Sequence, residues 1–155
     1  MKKSFLLALL LTLSPFSQAD FSGRVVRVID GDTVSVLSGS QMVRVRLNGI
    51  DAPESKQPYG QRSKQSLIQL AAQKNVVVIS SQQDRYGRYL GTLMNGDINI
   101  NAQQVEKGMA WAYRFHGKPV DVNMLALENK AHSAGTGLWS DPNPIEPWKW
   151  RRGNF

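Results

Sequence analysis

The chain has 155 residues, enough for one domain with a sizeable core and too few for two. It contains no cysteine, which excludes a disulfide scaffold, thiolate catalysis and every zinc site that needs Cys. Its 19 Lys and Arg against 12 Asp and Glu give a formal charge of +7, which draws in polyanions and equally serves solubility.

The chain starts with Lys2 and Lys3, an apolar run over residues 5–13 and the small-x-small end Ser17-Gln18-Ala19. This is the layout of a cleaved secretory signal. The run is shorter than the roughly 20 residues that span a bilayer, and Ser14-Pro15 interrupts it. Cleavage after Ala19 and export to a periplasm or the medium are expected; without Lys2 and Lys3 the balance is 17 minus 12, or +5.

Residues 23–29 are rich in Val, residues 33–37 alternate, and residues 41–47 set Val43, Val45 and Leu47 on one face with Arg44, Arg46 and Asn48 on the other. Asp30-Gly31-Asp32 and Ser38-Gly39-Ser40 separate them as turns, predicting an antiparallel three-stranded meander. A polar stretch, Ser55-Lys56-Gln57, reads as an exposed loop. The spacing of Ser63, Leu67, Leu70, Ala71 and Lys74 predicts a helix over 59–73, with Pro58 at its start. Strands over 75–81 and 89–94 flank the polar turn Asp84-Arg85-Tyr86-Gly87-Arg88. A short helix follows Asn95-Gly96, with Ile98, Ala102, Val105 and Met109 as its apolar stripe and a stop at Gly108. The last helix begins at Asp121 as N-cap and ends near Gly135. From Asp141 three prolines argue against regular structure, and Trp148 or Trp150 is expected to pack back while Trp139 joins the core. The division is a signal over 1–19, a domain over 20–140 and a basic Pro- and Trp-rich tail over 141–155.

The chemistry concentrates between Val45 and Glu54. Arg46 offers a planar fork for a phosphate, Asp51 a hard oxygen for a divalent cation, and Glu54 a carboxylate that can accept a proton from water. Asp32 can reach the same cation, although Asp30-Gly31-Asp32 taken alone is more readily a plain hairpin turn, and Asp51 with Glu54 equally a helix-entry cap. Arg46 and Arg88 are ordinary exposed arginines unless the fold joins them. Tyr113 and Phe115, around Arg114, read as core or rim aromatics ahead of base-stacking ones, though stacking beside a cation suits single strands. His116 and His132 lack metal-motif partners and read as structural. The set suggests metal-assisted attack on a phosphodiester.

Val28-Ile29-Asp30-Gly31-Asp32-Thr33-Val34, Val45-Arg46-Leu47 through Ile50-Asp51-Ala52-Pro53-Glu54, Asp84-Arg85-Tyr86-Gly87-Arg88 and Gly137-Leu138-Trp139 occur in this order. Together they resemble the staphylococcal nuclease, or thermonuclease, family over residues 21–139. The resemblance implies an α+β fold, a five-stranded OB-fold β-barrel with three α-helices. It also implies a calcium-dependent nuclease acting on DNA and RNA through water attack, departure of the 5′ oxygen and 3′-phosphate products. Carried over, Asp32 and Asp51 bind Ca2+ with the Ala52 backbone carbonyl, and Asp30 supports them. Glu54 is the general base, Arg46 and Arg88 hold the phosphate, and Arg85, Tyr86 and Tyr113 line the nucleotide site. Ala52 replaces a threonine, which a carbonyl ligand tolerates; Phe115 stands near an expected tyrosine and Arg85 replaces a lysine. No stable protein partner is implied, and a monomer is expected. The alternative is a non-catalytic OB-fold module that binds nucleic acid, yet degenerate copies would lose members of a set that this chain retains. An envelope structural or adhesion protein leans only on the signal and the tail.

Overall fold

Alternating apolar and polar residues make the first half of the chain strand-forming. The computed structural model describes residues 20–153; the expected signal, residues 1–19, lies outside the described residues. Strands β1 (Phe21–Val28), β2 (Thr33–Ser38) and β3 (Gln41–Leu47) form the antiparallel meander. In β3, Val45 and Leu47 are buried while Arg44 is exposed and Arg46 half-buried, the period of two of a sheet with one face on a core.

Helix α1 (Gly60–Ala71) leads to β4 (Asn75–Gln83) and β5 (Tyr89–Asn95). β4 pairs antiparallel with both β1 and β5. β5 then returns parallel to β3 through Val45–Tyr89, Arg46–Leu90 and Leu47–Gly91. That last seam closes five strands, in the order β3-β2-β1-β4-β5, into the mixed barrel of an OB-fold. Closure leaves these strands no open edge to aggregate through. Register shifts between Val25 and Arg27 and between Ser80 and Gln82 are bulges that help the strands curve. Val25, Val34, Val36, Val45, Leu47, Val78 and Leu93 fill the interior with no accessible surface, each contributing about 1.5–3 kcal/mol by burial.

The helices differ in detail from the expected spans. α1 starts after Tyr59, which takes a left-handed φ of 68° without a side-chain cap; Lys74 lies exposed beyond the helix end. The second helix, α2, spans Ile100–Glu106, with the Asn99 side chain accepting the Ala102 N–H. Ile98, expected on its apolar stripe, is instead exposed in a two-residue ladder with β5. The buried face of α2 is Ile100, Asn101, Gln104 and Val105. α3 spans Val122–Ser133, and Asp121 caps it by accepting from the N–H groups of Asn123 and Met124.

Two corrections concern the tail. Pro147 does not prevent regular structure but opens a short helix, α4 (Pro147–Trp150), because the first turn of a helix needs no N–H there. Trp148 meets Trp111 edge-on at 5.6 Å, and Trp111 meets Trp139 at 4.3 Å. Gln57, expected to be exposed, is buried and donates its side-chain amide to the Ile145 carbonyl. No helix among the described residues is long and apolar enough to cross a membrane.

Candidate active site

Three loops at one end of the barrel carry the charged residues. In the first, the Asp32 N–H donates to Asp30 at 3.1 Å, and Gly31 is pressed against α1. A Cβ on Gly31 would lie 1.9 Å from Ser63 Oγ and 2.8 Å from the Ala52 methyl, so the turn admits no side chain. From α2, the Gln104 amide donates to the Gly31 carbonyl at 2.8 Å and to the Ser63 carbonyl at 3.1 Å. Asp32 is thereby aimed inward. Its Oδ1 accepts the Thr33 hydroxyl at 3.0 Å, and its Oδ2 accepts the Ala52 N–H at 2.7 Å. Burial pushes the Asp32 carboxyl above its ordinary pKa, the Arg46 guanidinium opposes the rise, and the neighbouring Asp30 charge adds to it.

Arg46 ties the first loop to the second. Its Nη1 donates to the carbonyls of Leu47 at 2.7 Å and Ile50 at 2.9 Å. Its Nη2 lies 3.1 Å from Asp32 Oδ2 and 3.3 Å from Asp51 Oδ1. Asp51 is fixed by a short ladder in which Ile50 and Asp51 pair with Ala112 and Trp111. Asn101, also from α2, donates to the Asn48 carbonyl at 2.9 Å and accepts the Leu93 N–H at 3.0 Å, so one buried amide joins the turn after β3 to β5. Glu54 sits on a tight loop closed by hydrogen bonds from Glu54 N to Gln57 Oε1 and from Gln57 N to the Glu54 carbonyl. Gly60 backs this loop; a Cβ there would lie 1.9 Å from the Glu54 carbonyl oxygen.

The third loop joins β4 to β5. Asp84 accepts the N–H groups of Tyr86 and Arg88 at 2.9 and 3.0 Å and the Arg88 Nε at 2.8 Å. Its carboxyl lies below its ordinary pKa: burial would raise it, and the Arg88 N–H, then the Arg88 guanidinium and the Tyr86 N–H, outweigh that. The guanidiniums of Arg85 and Arg88 stand 4.9 and 5.6 Å from the centre of the exposed Tyr86 ring. Because Arg46 pairs with Leu90 across the parallel seam, the fold brings Arg88 to Arg46. Tyr113 is held on the opposite wall by its N–H to the Gly49 carbonyl at 2.9 Å.

One cavity of about 460 Å³ is lined by Asp30, Asp32, Arg46, Asp51, Ala52, Glu54, Arg85, Tyr86, Arg88 and Tyr113, every residue to which the resemblance gives a site role; Phe115 does not line it. Arg151, which the sequence did not single out, reaches it too. Its Nη1 and Nη2 donate to the two Asp51 oxygens at 3.1 and 2.8 Å, and Nη1 also donates to Glu54 at 2.8 Å. The hydrogen bonds to Asp51, opposed by burial and helped by Glu54, hold the Arg151 guanidinium above its ordinary pKa. Asn101 and Gln104 were also missed; their signal was two amides beside Ile100 and Val105 on the buried side of a helix.

The donors suit a hard cation. Asp32 and Asp51 share a single nitrogen of Arg46, so their oxygens converge. Among the described residues no three Asp, Glu or His side chains form a metal cluster alone. A cation here would take two carboxylates and complete its shell with carbonyl and water oxygens, which fits calcium or magnesium and not a softer metal.

Comparison with known proteins bears on the family. The model of the staphylococcal nuclease homologue family matches residues 44–141, from within β3 to the residue after the turn that holds Trp139. The chain is 50% identical over 155 residues to Protein ParB of Escherichia coli, covering 94% of this chain and 87% of that one. It is 49% identical to the micrococcal nuclease of Shigella flexneri, covering 94% and 88%. An uncharacterized endonuclease of Haemophilus influenzae is 43% identical over 148 residues, covering 95% and 82%.

Proposed function

Since the chain belongs to the family of staphylococcal nuclease homologues and is a nuclease, we propose that it is a calcium-dependent phosphodiesterase of DNA and RNA. The supporting observation is the convergence of Asp32, Asp51 and Glu54 with Arg46 and Arg88 in one cavity. Hard oxygen donors, a base and two cationic forks are what in-line attack on a phosphodiester requires.

In this reading Asp32, Asp51 and the Ala52 carbonyl hold calcium, with Asp30 in support. A bound calcium ion supplies positive charge against the phosphoryl oxygens and eases deprotonation of water. Glu54 accepts a proton from the attacking water as its oxygen bonds to phosphorus. The bond from phosphorus to the 5′ oxygen breaks, the departing oxygen takes a proton from solvent, and the phosphate stays on the 3′ side. Arg46 and Arg88 grip the phosphoryl oxygens while charge builds there, a bidentate task that a lysine performs less well. General base catalysis accounts for roughly 10²–10⁴ in rate and a preorganised donor for about 3–4 kcal/mol, so the groups act as a team. Arg85, Tyr86 and Tyr113 face the nucleoside. All of these groups come from one chain, so a monomer suffices. The start of the sequence supports export with cleavage after Ala19, to a periplasm or the medium.

Incubating the protein without residues 1–19 with plasmid DNA and with RNA, in calcium or in chelator, tests the proposal. Degradation in calcium alone is expected. Binding without cleavage under both conditions would refute it in favour of a non-catalytic OB-fold module.

A further inference from the structure

The C-terminal tail contributes a side chain that neither the match to residues 44–141 nor the sequence motifs cover. Its backbone is anchored. Pro147 is buried, Trp148 packs on Trp111, the Arg114 guanidinium lies 5.3 Å above Trp148, and the Arg151 N–H donates to the Pro147 carbonyl at 3.0 Å. Arg151 therefore leaves the end of α4 at a fixed point on the rim of the catalytic cavity. Its side chain is 44% exposed, so it can swing at small cost while its backbone stays.

Its present partners cannot all remain its partners during the reaction. The guanidinium takes both oxygens of Asp51 and one of Glu54. A divalent cation needs lone pairs of that same aspartate, and a base must be open to water. A cation at Asp51 also repels the guanidinium at close range. Arg151 borders a second cavity of about 570 Å³, contiguous with the first through Asp51 and Tyr113 and lined also by Arg114, Phe115 and Arg152. Among the described residues that line it, Asp51 is the one carboxylate. This cationic, aromatic surface suits a strand that continues past the reacting phosphate.

We propose that Arg151 is a third phosphate-binding arginine, resting on Asp51 and Glu54 in the free protein and gripping the phosphate next to the scissile one when substrate and cation displace it. The inference rests on the calcium-nuclease reading. It makes Arg151 a competitor for the cation site and a determinant of preference for longer strands.

The test uses the protein without residues 1–19 and its R151Q and R151K variants. Calorimetric titration with calcium alone should show R151Q binding about fivefold more tightly, the factor set by one partly exposed ion pair. Against oligonucleotides from a single-phosphodiester dinucleotide to an octamer, the ratio of the R151Q KM to the wild-type KM should grow with chain length. R151K, with charge but no fork, should recover part of it. Unchanged calcium affinity, or a KM ratio flat across chain length, overturns the inference. If wild type neither binds calcium nor cleaves, the calcium-nuclease reading itself fails; a competent wild type matched by R151Q in both measurements refutes this inference alone.

Discussion

Replacing Arg46 with lysine separates the contacts its side chain makes from the phosphate grip proposed for it. Two terminal nitrogens serve four oxygens, the Leu47 and Ile50 carbonyls and the carboxylates of Asp32 and Asp51. A lysine brings one nitrogen on a shorter stem and can satisfy at most one of those pairs. If the carbonyls lose, the turn after β3 loosens; if the carboxylates lose, two little-exposed negative charges are left short of a partner. Losing a pair of hydrogen bonds, some to charged groups, costs about 2–3 kcal/mol of stability, read by urea unfolding without calcium. Losing the fork on the phosphate costs about 3–4 kcal/mol of barrier, or 10²–10³ in turnover. That is read as kcat at saturating calcium, well below the unfolding midpoint. A kcat within about threefold of wild type, less than ~1 kcal/mol, would remove Arg46 from the phosphate clamp whatever the stability result.

Other outcomes follow from the same geometry. E54Q should lower kcat by roughly 10²–10⁴ while oligonucleotide affinity barely changes, and its unfolding midpoint should hardly move because its pair with Arg151 is partly exposed. Equal losses of binding and turnover would instead mark Glu54 as structural. Glu128 accepts the Ala112 N–H at 2.6 Å and both terminal nitrogens of Arg114 at 3.0 and 2.6 Å, so E128A should destabilise by about 3–5 kcal/mol; under ~1 kcal/mol in urea unfolding would contradict that. Asp84 sits below its ordinary pKa, so its stabilising contribution is present above the unfolded value near 3.8 and is lost as pH falls through the lower folded value. Stability measured downward from roughly pH 6 should therefore fall less steeply in D84N than in wild type. Parallel curves would show that the turn contributes nothing through that charge.

The strands were legible because burial on one face forces alternation, and β3 shows it directly in Val45 and Leu47 against Arg44 and Arg46; their closure into a barrel was expected from the family resemblance. Each loop of the candidate site is a short local motif that alone reads equally as a turn or a cap, and it was the family resemblance of the motifs in order that joined them. Ile98 was misplaced since a few residues at a strand-to-helix junction satisfy either period, and the Asn99 cap decides where the helix starts. Gln57 and Arg151 were illegible for a different reason. Their partners lie 88 and about 100 positions away, and no spacing rule says which carboxylate a distant arginine will meet once Trp148 docks on Trp111.

On the proposed mechanism, the parallel seam between β3 and β5 also sets when the chain becomes active. Its three residue pairs join segments that are far apart in sequence, and contacts of that kind carry the larger loop-closure cost and tend to form late. Until they form, Arg46 and Arg88 belong to separate pieces of the molecule. On that mechanism a nascent or unfolded chain carries the proposed reacting groups without a reaction centre until the seam shuts.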